Sequence, residues 1–418
     1  MDEPIIVGID IGTTKVCTLV GRVEGERNIR IIGVGIEPSQ GIRKGNIIDI
    51  PSASQAIIRS VEKAQRSSGL EITEAWVSLA GSHVASINSR GVVGINGGII
   101  GPEHIDRALD AAQAVAIPHN REVIHVIQRG FIIDGQDGIR QAIGMHGYRL
   151  EVEAHIITAG EATVENLREC VHAANVEVAQ FVLNPLASGE VVLTETEREM
   201  GTAVIDIGGG TTDMAVYIAG DVWHTMVLGV GGNHITSDIA HGLRMPLPQA
   251  EEVKKLYGNA HSEGIGPEDA FSVRGFGGEK PVQASRRDLA EIIQARVEEI
   301  FELVMQEIKR SGYDGLLPAG LVLTGGSSLL PGIREVASRV TGLPVRVAKP
   351  ENLVGLVDQL NSPAYSTSVG LLYWALLMQA GMPVEDSGHF KGIHLPKNMH
   401  VGDVWEAVKK FGKKMLPE

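Results

Sequence analysis

The 418-residue chain is 43% apolar and carries a net charge of −14, so it can fill real cores and is no disordered polymer. That acidity, with aromatic residues at only 4%, argues against nonspecific nucleic-acid binding and base-stacking platforms. Two distant cysteines, Cys17 and Cys170, and no paired Cys/His spacing argue against a structural zinc site and suit a reducing cytoplasm.

The N-terminus enters a strand at once, so no signal peptide is expected, and no apolar run reaches the ~18–20 residues of a spanning helix. Residues 5–20, "IIVGIDIGTTKVCTLV", read as strand, tight turn and strand. Asp10 enters the turn, and Gly12 lets backbone N–H groups approach an anion closely. Thr13 and Thr14 add hydroxyls, and Lys15 adds a cation. Residues 51–68 read as a helix with Ile57, Val61 and Ala64 on one face, and 75–80 as a buried strand. Residues 84–158 mix Gly-rich strands with a helix near 102–116 and read as an inserted α+β lobe. A helix, "ATVENLRECVHAAN", and a strand, "VAQFVLNP", follow.

Residues 203–218, "AVIDIGGGTTDMAVYI", repeat the first unit about two hundred residues later. Here Asp206 precedes Gly208, Gly209, Gly210, Thr211, Thr212 and Asp213, and a Gly-rich end at Gly231 and Gly232 follows the next strand. Duplication implies two similar halves facing each other across a cleft. Two such turns would clamp a polyphosphate, with Asp10 and Asp206 holding a hydrated Mg²⁺ against it. Residues 234–309 read as a second, mostly helical insertion. In its "AEEVKK", Glu251, Lys254 and Lys255 share a helical face suited to a ribose and adenine. "LVLTGGSSLLPGI" reads as a strand ending in Gly325 and Gly326, with a helix from Ser327 or Ser328 facing a flat ligand. Residues 380–402 lack apolar period and read as a flexible linker.

The last residues, 403–418, form an amphipathic pattern. At about 100° per residue, Val404, Trp405, Val408, Phe411, Gly412, Met415 and Leu416 fall within one sector of roughly 140°. Lys409, Lys410, Lys413 and Lys414 lie opposite. A helix of some 20 Å is too short to cross a bilayer and fits one lying on an anionic surface; a last helix docked on the body is the alternative.

Other nucleotide and catalytic signatures are missing: no GxxxxGK[ST], no Rossmann GxGxxG, no HExxH and no GxSxG. The set "GIDIGTTK", "VIDIGGGTTD" and "VLTGGSSLLPG", in this order, resembles the actin, sugar-kinase and heat-shock-chaperone ATPase superfamily. With "GVGIEPSQGIRKGNIID", "VIHVIQRGFIID", "GNHITSDIA", "AEEVKKLYG" and the tail, the chain resembles the FtsA family of bacterial cell-division proteins along nearly its whole length.

The resemblance implies an α/β, actin-like duplicated fold with an inserted lobe in the first half. The expected layout is 1–83 with 159–199, 84–158, 200–233 with 310–379, 234–309, the linker and the terminal helix. It implies ATP and Mg²⁺ as cofactors, polymerisation, an FtsZ C-terminal peptide as partner, other division proteins, and attachment to the inner membrane face at the division site. It places the partner-binding pair at Arg296 and Glu299. One departure stands out. Where the chaperones and cell-shape actins carry Glu-Pro, with Glu positioning the attacking water, this chain has Asn184-Pro185. Asn cannot accept the proton as a carboxylate does, so ATP binding with slow hydrolysis is expected. The competing readings are a metabolic phosphotransferase, for which no substrate-lobe base is evident, and a type IV pilus assembly ATPase-like protein, which has no need of such a tail.

Overall fold

A computed structural model describes residues 4–25, 28–114, 117–266, 268–273, 282–379 and 393–394. The described residues divide into two compact units, one drawn from 4–86 and 160–379, the other from 87–159 with 393–394.

The first unit starts as an antiparallel meander of β1 (Ile5–Ile11), β2 (Lys15–Val23) and β3 (Ile29–Pro38). A small ladder, β4 (Ile42–Arg43) with β5 (Asn46–Ile47), leads into α1 (Ile50–Ser68). Pro51 suits the first turn of α1, and left-handed Gly69 ends it by donating its N–H to the Gln65 carbonyl. Its buried face, with Ala56, Ile57, Val61 and Ala64, presses on β3 so tightly that a Cβ at Gly35 would lie 1.9 Å from the Ser60 carbonyl oxygen. The crossover returns to β6 (Glu74–Leu79), parallel to β1.

The second unit takes β7 (Ala85–Gly94) over most of its length, then α2 (Pro102–Gln113), β8 (Arg121–Ile133), β9 (Gln136–Ile139) and β10 (Arg149–Gly160). Ile105 and Leu109 of α2 join Val126, Phe131, Leu150 and Val152 in a separate core. A Cβ at Gly91 would fall 1.8 Å from the Ala108 carbonyl oxygen, so glycine sets the approach of strand to helix.

Back in the first unit, α3 (Glu161–His172) and β11 (Glu177–Leu183) complete the first half, followed by α4 (Asn184–Val192) and α5 (Glu195–Met200). The meander then recurs as β12 (Thr202–Ile207), β13 (Thr212–Ile218) and β14 (Asp221–Leu228). Registers match: Asp10 faces Cys17 across β1–β2, and Asp206 faces Asp213 across β12–β13. Next come α6 (Gly232–Gly242), α7 (Leu247–Tyr257), a two-stranded ribbon of β15 (Ala270–Val273) and β16 (Val282–Ser285), and α8 (Arg286–Ser311). The segment expected to be mostly helical therefore also carries this ribbon. The chain continues with β17 (Leu321–Thr324), α9 (Ile333–Thr341), β18 (Val345–Val347), β19 (Val354–Gly355) and α10 (Ser366–Gln379).

The two sheets of this unit run β11-β6-β1-β2-β3-β19 and β14-β13-β12-β17-β18. This is the duplicated α/β architecture expected from the repeat. One local expectation is corrected: no α-helix starts at Ser327 or Ser328. Gly326–Leu329 is a 3-10 turn, and α9 begins only at Ile333. Pro331 supplies no N–H and Gly332 is left-handed at φ 80°, so the helical ladder cannot run through them. The tail 403–418 lies outside the described residues, as does the expected linker except for β20 (Ile393–His394), which pairs antiparallel with β8. Among the described residues no helix is long and apolar enough to cross a membrane.

Candidate functional site

The two duplicated turns meet in the first unit. In each, a glycine N–H donates to a carbonyl three residues on: Gly12 to Lys15 and Gly208 to Thr211, both at 2.9 Å. A Cβ at Gly209 would lie 2.4 Å from the Thr14 methyl, and one at Gly210 would lie 2.4 Å from the Thr13 hydroxyl. The turns therefore interleave, and only glycine admits that approach. Between them opens a cleft of about 510 Å³. Its lining includes Asp10, Gly12, Thr13, Thr14, Lys15, Asn184, Asp206, Gly208, Gly209, Gly210, Thr211 and Asp213. Gly232, Glu251, Lys254, Lys255, Gly325, Gly326 and Ser327 line the same space.

Two residues singled out in the sequence fall elsewhere. Thr212 is fully buried and donates its hydroxyl to the Val230 carbonyl at 2.8 Å. Gly231 supports the wall from behind, where a Cβ would lie 2.7 Å from the Gly208 carbonyl oxygen. In a pleated strand neighbouring side chains face opposite sides, so Thr211 and Thr212 cannot share one role.

Asp10 and Asp206 are nearly buried, at 5% and 6% exposure. Ser368 donates to Asp10 Oδ2 at 2.5 Å, and Thr367 donates to Asp206 Oδ2 at 2.7 Å. Lys15 Nζ lies 3.5 Å from Asp10 Oδ2 and 4.7 Å from the centroid of the Tyr365 ring. Burial pulls the Lys15 ammonium pKa down most strongly, but Asp10, Cys17 and Tyr365 together outweigh it and hold it above its usual value. Burial raises the Asp206 carboxyl to about 6, against the Thr367 hydrogen bond and with help from the Asp10 charge. Asp213 is pushed well above the carboxylate range by burial first and by the Asp206 charge next.

Asn184, the first residue of α4, donates from Nδ2 to Asp213 Oδ2 at 3.3 Å, and Thr211 donates to the same oxygen at 3.2 Å. Asn184 Oδ1 and Asp213 Oδ1 are buried without a protein partner. On the far wall Lys254 Nζ bonds Glu251 Oε2 at 2.6 Å, the Thr236 hydroxyl at 2.8 Å and the Gly232 carbonyl at 3.1 Å. Lys255 meets Glu251 Oε1 at 3.3 Å. Burial works against the ionised Glu251, yet the two lysines keep its pKa low. Ser327 donates to the Gly208 carbonyl at 2.9 Å, joining the 3-10 turn to the second Gly-rich turn.

The arrangement suits a phosphorylated ligand with a hydrated cation. The glycine cradle has space only for backbone, and two orphaned oxygens point to missing hydrogen-bond partners. Among the described residues no group of three His, Cys, Asp or Glu side chains is placed to hold a metal directly. A hard cation here would keep most of its water, as Mg²⁺ does. Sequence reasoning missed Ile11, Gly45, Ala80, Asn233, Ile235, Leu329, Leu330, Pro331, Pro363, Ala364 and Thr367 on the lining, the last bonded to Asp206, and Ser368 behind Asp10. For the last two a signal existed: three consecutive hydroxyl residues opening an otherwise apolar helix.

Arg296 and Glu299 lie away from this cleft, on α8. Arg296 makes a two-pronged ion pair with Asp238 of α6, at 2.6 and 3.0 Å, and reaches Glu299 at 2.5 Å. The Asp238 hydrogen bond, chiefly, raises the guanidinium above its usual pKa.

Residues 203–370 match the family model Cell division protein FtsA, and residues 81–158 match SHS2 domain inserted in FTSA. The Cell division protein FtsA of Pseudomonas aeruginosa is 42% identical over 394 residues, which cover 94% of each chain. Among solved structures, the PilM-PilN type IV pilus biogenesis complex aligns over 89% of this chain and 98% of that chain, with a TM-score of 0.62 at 15% identity. MreB5 of Spiroplasma citri bound to ADP aligns over 91% and 99%, with a TM-score of 0.56 at 16% identity. At such identities the structural likeness is one of fold, and the fold is actin-like.

Proposed function

The chain belongs to the FtsA family of cell-division proteins, and on that premise we propose that it binds Mg²⁺-ATP in the cleft, polymerises, and tethers FtsZ to the inner face of the cell membrane, helping to recruit other division proteins. The observation that supports nucleotide binding most is the interleaving of the two Gly-rich turns with Asp10 and Asp206 in register beside them. Backbone N–H groups of the turns would meet the phosphates, with Thr13, Thr14, Thr211 and Lys15 adding donors. Asp10 and Asp206 would hold the waters of the cation. Gly325 and Gly326 leave a flat surface for the base, and Glu251, Lys254 and Lys255 offer polar groups to the ribose. Bound Mg²⁺-ATP would supply the phosphoryl bond whose cleavage can time assembly. Asn184 stands where a base would be needed, so cleavage is slow.

The membrane role rests on the amphipathic pattern of 403–418, and the FtsZ role on the Arg296–Glu299 face. A sugar-kinase-like phosphotransferase is not favoured, because the relatives matched over nearly the whole chain are division proteins.

Gly209→Val tests the cleft. It puts a branched side chain where Thr14 already fills the space and where phosphate must meet backbone. Titration calorimetry should show ATP binding lost while far-UV circular dichroism is retained. Unchanged ATP affinity in this variant would overturn the cleft assignment.

A further inference from the structure

Three consecutive hydroxyl residues, Ser366, Thr367 and Ser368, open α10, and all three are buried. Each meets a different central strand. Ser366 accepts from Thr324 of β17 at 2.6 Å. Thr367 donates to Asp206 of β12, and Ser368 donates to Asp10 of β1. In the first turn of α10, Thr367 and Ser368 have no preceding turn of that helix to bond back to, and their hydroxyls reach outward to one aspartate in each half of the duplicated unit.

Satisfying buried carboxylates would account for some donor at these positions. The geometry adds more. Each hydroxyl holds one oxygen of its carboxylate, which restrains the rotation of that carboxylate about its last bond. Asp10 Oδ2 also meets Lys15, and among the described residues no protein hydrogen bond reaches Asp10 Oδ1. Asp206 Oδ1 lies against Gly325, where a Cβ would be only 2.4 Å away. Both carboxylates are thus restrained before any cation arrives, and a cation held through water gains from ligands that need little reorientation.

We propose that Thr367 and Ser368 are positioning residues for the hydrated Mg²⁺ that accompanies the nucleotide, so that the first turn of α10 sets how strongly ATP binding depends on the divalent cation. The inference rests on the Mg²⁺-ATP reading of the cleft. It assigns these two hydroxyls no contact with the nucleotide, so their loss should leave metal-free ATP binding nearly intact.

The test is ATP affinity of the full chain, by titration calorimetry, in Mg²⁺ and in EDTA. The variants are Thr367→Val, which keeps the shape, Ser368→Ala, and Thr367→Ser, which keeps the hydroxyl. Each charge-assisted bond lost should lower the ratio of Mg²⁺ to EDTA affinity about tenfold in Thr367→Val and in Ser368→Ala. Affinity in EDTA should move by less than about threefold, and Thr367→Ser should keep the wild-type ratio within about twofold. Near-UV circular dichroism establishes that each variant is folded. Ser368→Ala removes a single oxygen and carries the test if Thr367→Val does not fold. A wild-type ratio in Thr367→Val and Ser368→Ala overturns the inference while ATP binding stands. Equal loss in Thr367→Ser, which keeps the hydroxyl, and in Thr367→Val, which lacks it, would show that the hydroxyl does not carry the effect and overturn it for Thr367. A wild-type chain that binds no ATP in either buffer overturns the Mg²⁺-ATP reading and the inference with it.

Discussion

At Asn184 an amide stands against a carboxyl, and the pairing shapes what the site can do. Burial and the Asp206 charge push the Asp213 carboxyl upward, its Oδ2 accepts the Asn184 amide, and Asn184 itself cannot take a proton from water. Turnover should therefore fall far below the ~10 s⁻¹ of a typical enzyme, measured as phosphate release. Placing Glu at 184 alone would set two carboxyls in contact, where they must share one proton. Asn184→Glu should accordingly give only a small rise in ATPase rate. Combining it with Asp213→Asn, which restores one carboxylate and one amide, should give a larger rise. A wild-type rate near ~10 s⁻¹ would refute the attenuated site. A double variant no faster than the single one would refute the role given to Asp213.

At the level of elements, α8 shows how a helix surface can be committed before any partner arrives. Its long apolar stripe, with Leu289, Ile293, Val297, Phe301, Val304 and Ile308, packs into the core of the second half. Arg296 leaves that stripe to grip Asp238 on α6. A carboxylate of a partner peptide approaching Arg296 must compete with Asp238 for the guanidinium. Arg296→Glu should weaken binding of the FtsZ C-terminal peptide by at least about tenfold, since it removes a charged donor and leaves Asp238 facing a like charge. ATP affinity of the same variant should not change. Fluorescence anisotropy with labelled peptide checks this, and wild-type affinity would exclude the face.

For the molecule as a whole, the terminal segment 403–418 sets a cooperative expectation. Four lysines contribute at most about 1 kcal/mol each near an anionic surface. Six half-buried apolar side chains add roughly 5–8 kcal/mol gross, and ordering the backbone offsets much of it at about 1–2 kcal/mol per residue. One copy should hold weakly, while neighbours in a polymer make later attachments effectively intramolecular. Liposome sedimentation should show binding abolished by Trp405→Glu, which replaces the largest apolar side chain of that face with a charge. Binding should also drop sharply in a variant that cannot polymerise but keeps the tail. Full binding by a strictly monomeric variant would show that avidity is not needed.

The sequence by itself determined the duplication, because each half must repeat strand, Gly-rich turn and strand locally to build its own side of the cleft. It also determined which glycines, threonines and aspartates recur, and hence the two turns that line the cavity from either side. Local chemistry suffices there: a tight turn accepts few residue types, and the pattern survives in the text of the chain. Only the tertiary structure decided that Thr212 and Gly231 sit behind the wall: the Thr212 hydroxyl is turned to the Val230 carbonyl, and Gly231, at the start of α6, is backed onto the carbonyls of the second turn. Only it placed Thr367 and Ser368 against Asp206 and Asp10, across separations of 161 and 358 residues. Such contacts leave no period or spacing in a sequence, because they are fixed by how α10 packs against elements far from it in the chain.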